Sequence, residues 1–176
     1  ALTTGSHPRT LPAAIGGMLD GVFCMRDLKD ADAMAPAFIA GKKVLIIGGG
    51  YIGLEAAAVA SKLGLQVTLV EMGDRILQRV AAPQTSDFFR DLHSEHGVDI
   101  REGVGLDRLL GDDHVTGALL TDGTKLDIDF AVVGVGIMPA TALAASAGVA
   151  VDNGIVTNDH AQTSDPDIYA AGDCAT

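Results

Sequence analysis

Two kinds of hydrophobic pattern alternate in the middle of this chain. Val44 to Ile47 and Ile128 to Val135 are largely apolar runs of strand length, as expected for buried strands of a parallel sheet. Tyr51 to Leu63 instead carries small and apolar residues at helical spacing, and Gly64 follows as a predicted stop. Gln66 to Glu71 is the next β-branched strand. The pattern therefore predicts a βαβ unit with a glycine turn after its first strand.

Further helices are predicted on both sides of this unit. Asp30 to Ala40 is a candidate helix, although Pro36 argues against it unless the proline lies near an end or a kink. Pro83 to His96 is predicted to be a second helix, and its proline is acceptable because proline is well tolerated at the first helical position. Thr141 to Ala147 is a short third one.

The remaining polar and apolar positions predict short strands and loops. Val98 to Arg101 is a strand, and residues 1–27 and the part from Val156 onward are mainly turns and loops. An antiparallel meander is predicted over Val104 to Leu110, Val115 to Leu120 and Lys125 to Asp127, with turns at Asp112-Asp113 and Asp122-Gly123. The fold class is therefore α/β: a Rossmann-like parallel sheet with flanking helices and an inserted antiparallel β-meander.

Composition restricts the functions that this fold can carry. With 176 residues, 48% of them hydrophobic, the chain is long enough to bury a core. Its net charge of −11 and the absence of a lysine or arginine cluster argue against nucleic acid as a partner. No segment approaches the roughly 20 apolar residues of a membrane span, and the N-terminus has no signal-peptide pattern. We expect no membrane partner.

Cysteines and histidines predict neither a redox pair nor a metal site. Cys24 and Cys174 are far apart and form no C-x-x-C motif, which favours a reducing, cytoplasmic location. His93 and His96 can share a helix face, but no acidic or cysteine partner has ligand spacing. They are interpreted as part of a solvated helix face.

The glycines after the first strand carry the main functional signal. Gly48, Gly50 and Gly53 have the G-x-G-x-x-G spacing of dinucleotide-binding proteins, in which the pyrophosphate lies at the helix N-terminus. With 22 glycines in 176 residues, the match alone is weak. The strand before it, the helix after it and the acidic Glu71 make dinucleotide binding the favoured interpretation over a structural glycine turn. A side chain at Gly50 is expected to obstruct the pyrophosphate.

Glu71 predicts which dinucleotide binds. At the end of the second strand its carboxylate can accept hydrogen bonds from the adenosine ribose of NAD and would repel the 2′-phosphate of NADP. Arg75 and Arg79 leave the alternative open, because arginines near this strand can pair with that phosphate. Arg79 is the better candidate for the adenine side. NAD is favoured.

Glu55 has two interpretations. It lies about one turn into the helix, and the functional interpretation places it towards the nicotinamide end of the cofactor. The alternative is a carboxylate that stabilises the helix dipole.

The whole chain resembles the FAD-dependent, NADH-using ferredoxin and rubredoxin reductases. The resemblance is carried by the segments TTGSHPR, IIGGGYIGLEAAA, VTLVE, GVDI, DGT, VVGVGIMPA, DNGIVTN and TSDPDIYAAGDCA. It implies two nucleotide-binding domains, with the NADH domain inserted into the FAD domain. It also implies hydride transfer from NADH to FAD, then electron transfer to a ferredoxin or rubredoxin.

The resemblance assigns cofactor-binding roles position by position, and no catalytic residue. Gly48, Gly50, Tyr51, Ile52 and Gly53 would bind the NADH pyrophosphate, with Glu55 near the nicotinamide and Glu71 on the ribose. Gly134, Val135 and Gly136 would pass close to the nicotinamide ribose and carboxamide. Thr4, Gly5 and Arg9 would lie where the chain leaves the FAD domain, and Gly172 and Asp173 would contact the ribityl chain of FAD. Taken alone, Gly172-Asp173 is equally well an ordinary turn.

The resemblance also implies a domain plan. Residues 1–27 would be a piece of the FAD domain and the crossover, 28–157 the NADH domain, and 158–176 a second piece of the FAD domain. No FAD fingerprint of its own precedes residue 28, so we expect this piece alone to retain little flavin and to be inactive. Two alternatives stay open: a fragment of a pyridine nucleotide–disulfide reductase, or a non-catalytic NAD-binding module.

Overall fold

The computed structural model describes residues 1–176, and the chain divides into two compact units. The larger unit is Thr10–Gly136, and the smaller combines Ala1–Arg9 with Ile137–Thr176. These limits differ from the predicted domain boundaries after residues 27 and 157. Those boundaries refer to a flavin domain and stay a prediction.

Strands and helices follow one another along the chain in nearly the predicted order. The strands are β1 (Ser6–Pro8), β2 (Val22–Cys24), β3 (Lys43–Ile47), β4 (Gln66–Glu71), β5 (Val98–Glu102), β6 (Leu106–Leu110), β7 (Gly117–Leu120), β8 (Lys125–Asp127), β9 (Phe130–Val133) and β10 (Ile137–Pro139). The α-helices are α1 (Leu28–Met34), α2 (Tyr51–Lys62), α3 (Pro83–Glu95) and α4 (Ala142–Ser146). Short 3₁₀ helices cover Ala13–Ile15 and Ala35–Ala37.

A five-stranded parallel sheet forms the centre of the larger unit. Its strand order is β2-β9-β3-β4-β5, and every neighbouring pair is parallel. The predicted α/β fold class is confirmed. Strand β2 lies in the region predicted as turns and loops, because three residues are too few to show a period. Its parallel pairing with β9 makes it a strand of the sheet.

The alternating side chains of β3 divide the larger unit into two cores. Val44 and Ile46 belong to the core that includes helix α2, whereas Leu45 and Ile47 belong to the core that includes the meander. All four are buried. Because neighbouring residues of a strand point to opposite faces, a sheet covered on both sides needs an unbroken apolar run.

The meander β6-β7-β8 is antiparallel, as predicted. Its second turn has Gly123 at a φ of 85°, and Asp122 Oδ1 accepts a hydrogen bond of 2.8 Å from the Thr124 N–H. Ala118 and Leu120 of β7 are buried in the core below the sheet. The larger unit therefore has three layers: helices, the parallel sheet and the meander.

Helix α1 begins and ends earlier than predicted. Asp27 caps it by accepting hydrogen bonds from the backbone N–H groups of Lys29 and Asp30. Pro36 lies in the following 3₁₀ turn rather than in the helix. A helix is present, but its predicted end at Ala40 was wrong because proline cannot donate the next backbone hydrogen bond.

In the smaller unit β1 pairs with β10 in antiparallel register. Val149, Ile155 and Ala170 contribute to its small core. These contacts explain why residues 137–157 group with this unit, although the resemblance assigned them to the NADH domain. No helix in the structure is both long and apolar enough to cross a bilayer.

Candidate dinucleotide-binding site

The glycine loop lies at the carboxyl end of β3, in the middle of the parallel sheet. Gly48 N–H donates to the Val70 carbonyl of β4, and Gly134 N–H donates to the Ile47 carbonyl. The loop therefore lies where the carboxyl ends of β3, β4 and β9 meet. Ligands of open α/β sheets bind at this edge.

Three of the glycines are required by packing inside the protein. A Cβ atom on Gly53 would lie 2.0 Å from the Gly48 carbonyl oxygen, and one on Gly48 would lie 2.4 Å from the Gly134 carbonyl oxygen. Gly48 also has a φ of 108°, which strongly favours glycine. Gly49, which the fingerprint does not specify, would place a Cβ 2.7 Å from Ile76. Only the tertiary structure reveals this last requirement.

Gly50 differs from the other glycines of the loop. A Cβ atom on Gly50 would meet no protein atom within 4 Å, and its φ of −81° is accessible to any residue. No side chain caps helix α2, which begins at Tyr51. The first N–H groups of a helix lack partners within the helix. The site therefore offers open space and free donors at the positive end of α2, as an anion requires.

Glu71 lies beside the glycine loop and already binds its backbone. Its Oε2 accepts a hydrogen bond of 2.7 Å from the Gly49 N–H, and its Oε1 accepts one of 2.7 Å from the Gly73 N–H. Each carboxylate oxygen can accept a second hydrogen bond. Glu71 can therefore hold the loop and accept bonds from a ribose at the same time.

The second glycine segment approaches the first. A Cβ on Gly134 would lie 3.5 Å from the Gly53 nitrogen. Val135 and Gly136 are exposed, and Gly136 has a φ of 102°. The structure thus brings the two predicted glycine segments to one edge of the sheet.

Tyr51, Ile52 and Glu55 project from α2 into more open surroundings. All three are exposed, and Ile52 and Glu55 line a cleft of about 430 Å³ whose other walls are mainly apolar. Glu55 is the fifth residue of α2, so no acidic residue lies in the first turn. Because the helix-dipole effect is confined to that turn, this position weakens the helix-dipole interpretation.

The two arginines in the loop after β4 have different surroundings. Arg75 donates to the Ser86 hydroxyl at 2.6 Å and to the Ala81 carbonyl at 2.9 Å. Its guanidinium is therefore engaged within the protein. Arg79 is exposed, like its neighbour Val80, and is the better placed of the two to meet a ligand.

The remaining predicted residues belong to the smaller unit. Arg9 Nε donates to the Ile137 carbonyl at 3.0 Å. Asp173 Oδ2 accepts a hydrogen bond of 2.9 Å from the hydroxyl of Ser6, a buried residue that sequence pattern did not single out. Gly172 has a φ of 83°.

His93 is not on a solvated face, and that prediction was wrong. The side chain is buried, with Nδ1 2.8 Å from the Phe89 carbonyl oxygen and Nε2 3.1 Å from the Leu54 carbonyl oxygen. It links α3 to α2, because its imidazole ring lies between a backbone carbonyl of each helix. His96, in contrast, is exposed.

A family model described as pyridine nucleotide-disulphide oxidoreductase matches residues 2–176. The chain belongs to this family. It is 47% identical to putidaredoxin reductase of Pseudomonas putida over 99% of its own length and 42% of that protein. It is 48% identical to a ferredoxin reductase subunit of a Sphingobium 5,5′-dehydrodivanillate O-demethylase, over 91% of the chain and 39% of the relative. The predicted resemblance to ferredoxin reductases is confirmed, and this family member spans about two fifths of those relatives.

Solved structures agree with this assignment. The crystal structure of a covalent putidaredoxin reductase–putidaredoxin complex matches with a TM-score of 0.93 and 46% identity, over 99% of this chain and 43% of that one. A water-forming NADH oxidase from Lactobacillus brevis bound to NADH matches with a TM-score of 0.81 and 28% identity, over 98% of this chain and 38% of that one. An engineered water-forming NADPH oxidase bound to NADPH matches with a TM-score of 0.86 and 28% identity, again over 98% of this chain and 38% of that one.

Proposed function

We propose that this chain is the NADH-binding part of a flavoprotein reductase that passes electrons from NADH through FAD to a ferredoxin or rubredoxin. The open space at Gly50, beside the uncapped start of α2, is the observation that supports the dinucleotide site. The ferredoxin reductases among its relatives support the electron acceptor. A cytoplasmic location is part of the proposal, because Cys24 and Cys174 form no disulfide with each other.

The residues of the chain bind and orient the cofactor in this proposal. Backbone N–H groups at Gly50, Tyr51 and Ile52 donate to the pyrophosphate, and Glu71 accepts hydrogen bonds from the adenosine ribose. Gly134, Val135 and Gly136 bound the nicotinamide half. Hydride transfer is the chemistry that NADH and FAD supply when bound, whereas the protein fixes their orientation.

NAD is preferred over NADP in this proposal because of the carboxylate of Glu71. The engineered NADPH-bound oxidase replaces a glycine and an aspartate by alanine, at the same separation as Gly53 and Glu71 in this chain. Its NADH-bound parent retains both. This parallel supports the carboxylate of Glu71 as a determinant of the choice between the two dinucleotides.

Calorimetric titration of the chain with NADH and with NADPH tests the proposal directly. We expect NADH to bind at least tenfold more tightly, and Glu71→Gln to reduce that ratio, because the amide no longer repels the 2′-phosphate. Asp74→Asn, an exposed acid in the next loop, is the control and should leave the ratio unchanged. Equal affinities in the wild type would remove the role of Glu71, and no binding of either dinucleotide would contradict the site itself.

The visible spectrum of the purified chain tests its flavin content. We propose that the FAD site of the parent enzyme includes Arg9, Gly172 and Asp173, and that the chain alone retains little flavin. A colourless protein that binds NADH supports this division. Stoichiometric flavin absorption would contradict it.

A disulfide reductase is the second candidate within this family. Such an enzyme needs a reactive thiolate. Burial, followed by the negative charge of Asp30, raises the pKa of the Cys24 thiol, so that Cys24 stays protonated near neutral pH. The larger unit therefore offers no observation in favour of this candidate.

A test of Glu55 requires the complete reductase. Glu55→Gln should slow reduction of the flavin by NADH in single-turnover experiments, because Glu55 is proposed to lie near the nicotinamide. Unchanged flavin reduction would leave Glu55 with no role in the site.

A further inference from the structure

The segment from Gly73 to Ala82, here called the clamp loop, covers one side of the glycine loop. Leu77 N–H donates a hydrogen bond of 2.9 Å to the Gly49 carbonyl. The fully buried Ile76 packs where a Cβ on Gly49 would be, 2.7 Å away. Gly49 is therefore held at both polar groups, since its N–H binds Glu71 and its carbonyl binds Leu77.

This contact fixes a donor on the opposite side of the loop. The Gly49 carbonyl and the Gly50 N–H belong to one planar peptide group and, in a trans peptide, point in opposite directions. With the carbonyl bound to Leu77, the Gly50 N–H points away from the clamp loop. It has no hydrogen-bond partner within the chain, and the space beside Gly50 is open. Leu77 thus orients a donor that the proposed pyrophosphate site needs.

Neighbouring contacts hold Leu77 in an unfavourable backbone conformation. Its φ of 55° lies in the left-handed region, which costs a non-glycine residue about 1 kcal/mol or more. The preceding residue is held from both sides, because Ser86 Oγ donates to the Ile76 carbonyl at 2.6 Å and Glu102 Oε1 accepts from the Ile76 N–H at 2.8 Å. Ser86 is fully buried.

Two arginines complete the support. Arg75 donates to Ser86 Oγ at 2.6 Å, which leaves the hydroxyl proton of Ser86 for the Ile76 carbonyl. Arg90 donates to Glu102 from Nε at 2.8 Å and from Nη2 at 3.0 Å. Such paired bonds to a carboxylate are strong and directional. Ser86 and Glu102 are therefore themselves fixed in place.

We propose that Ser86 and Glu102 are positioning residues for dinucleotide binding: they hold Ile76 and Leu77 so that the Leu77 N–H orients the Gly49–Gly50 peptide towards the pyrophosphate. Neither residue touches the proposed ligand site. The inference rests on the proposed function, because it concerns how the same site is prepared.

Nuclear magnetic resonance of the ¹⁵N-labelled chain, titrated with NADH, tests this inference. Ser86→Ala and Glu102→Ala should weaken NADH binding about tenfold, because the donor is no longer oriented in advance. In the free variants the Gly50 amide signal should already differ from that of the wild type. Glu102→Gln should restore both the signal and most of the affinity, because its amide oxygen can still accept from the Ile76 N–H.

Asp99→Ala is the matched control, since Asp99 lies on the same strand as Glu102 and pairs with Arg101 instead. It should leave affinity and the Gly50 signal unchanged. Folded Ser86→Ala and Glu102→Ala variants with wild-type affinity would overturn the inference, as would weaker binding without any change at Gly50. If neither alanine variant folds, Arg75→Lys replaces them, since Arg75 is only partly buried. Arg75→Lys should bind NADH at least threefold more weakly than the wild type. Wild-type affinity in this variant would overturn the inference.

The same titrations distinguish a failure of the proposed function from a failure of this inference. If the wild type itself binds neither NADH nor NADPH, the site is wrong, whatever the variants do. If the wild type binds NADH and only the variants behave unexpectedly, the positioning role alone is wrong.

Discussion

At the scale of single residues, the glycine fingerprint separates into glycines that the protein needs and one that a ligand would need. Gly48 and Gly53 keep two backbone segments in close contact, whereas a Cβ on Gly50 meets nothing. Sequence spacing alone could not make this distinction, because all three positions carry the same residue. The distinction predicts different consequences for the same substitution.

Gly50→Ala should weaken NADH binding at least tenfold while changing the free energy of unfolding by less than about 1 kcal/mol, because the added methyl group meets only the ligand space. Gly53→Ala should destabilise the fold by about 1–3 kcal/mol, because its methyl group lies against the Gly48 carbonyl. Calorimetry and urea unfolding measure the two effects.

Ala58→Ser, at an exposed position of the same helix, is the control: it should leave the affinity for NADH unchanged and cost only about 0.5 kcal/mol through helix propensity. A Gly50→Ala protein with wild-type affinity for NADH would contradict the proposed position of the pyrophosphate.

Asp129, the residue before β9, binds the residues at the start of the neighbouring strand β3. Lys42 Nζ lies 2.6 Å from Asp129 Oδ1, and the Lys43 N–H donates to Asp129 Oδ2 at 2.8 Å. The hydrogen bond from Lys42, followed by that from the Lys43 backbone, lowers the pKa of Asp129. The resulting stability is complete above the unfolded-state pKa of about 3.9 and is lost as the pH falls through the lower folded-state pKa.

Asp129→Asn should therefore lower the melting temperature by only about 2 °C at pH 7, because solvent screens this partly exposed ion pair. The difference between variant and wild type should shrink below pH 4, where the wild-type carboxylate becomes protonated. Thermal unfolding between pH 3 and 7 measures it. Asp127→Asn, at a nearby exposed position, is the control and should change the melting temperature at pH 7 much less.

At the scale of elements, local signals placed most helices and strands correctly. Helix α2 begins at Tyr51, and Gly64, with a φ of 81°, follows its end as predicted. Helix α1 was misplaced because its capping residue, Asp27, lies before the expected start. Strand β10 was missed because its partner, β1, is more than a hundred residues away in sequence, so nothing local indicates the pairing.

The capping box of α1 gives a prediction at this scale. Asp27→Ala should destabilise the larger unit by about 1 kcal/mol, because the N–H groups of Lys29 and Asp30 lose their acceptor. Asp32→Ala, an exposed position on the same helix, should cost much less. Urea unfolding compares them, and equal losses would contradict the role of the cap.

At the scale of the whole molecule, burial is concentrated in the parallel sheet of the larger unit. Ile46 of β3, Leu69 of β4 and Val132 of β9 are completely buried. The meander strand β8 has two exposed residues out of three. Local stability follows this distribution, since backbone groups open more easily where little apolar surface is buried.

Hydrogen exchange should reveal that distribution. We expect the amides of β3 and β9 to exchange most slowly, and those of β8 to exchange at least a hundredfold faster, because β3 and β9 lie inside the five-stranded sheet. Mass spectrometry of peptic fragments or NMR measures the rates. Equal protection of β8 and β3 would show that the meander opens only with the whole unit.

The sequence by itself determined the order of the elements, the α/β fold class and the family, because these depend on short-range periodicity and on motifs within a few residues of one another. Only the tertiary structure decided which atoms meet at the glycine loop. The bonds from Glu71 and Leu77 to Gly49 and the burial of His93 join residues more than 20 positions apart. Such contacts depend on the direction of individual peptide groups, and hydrophobic patterning carries no information about that direction.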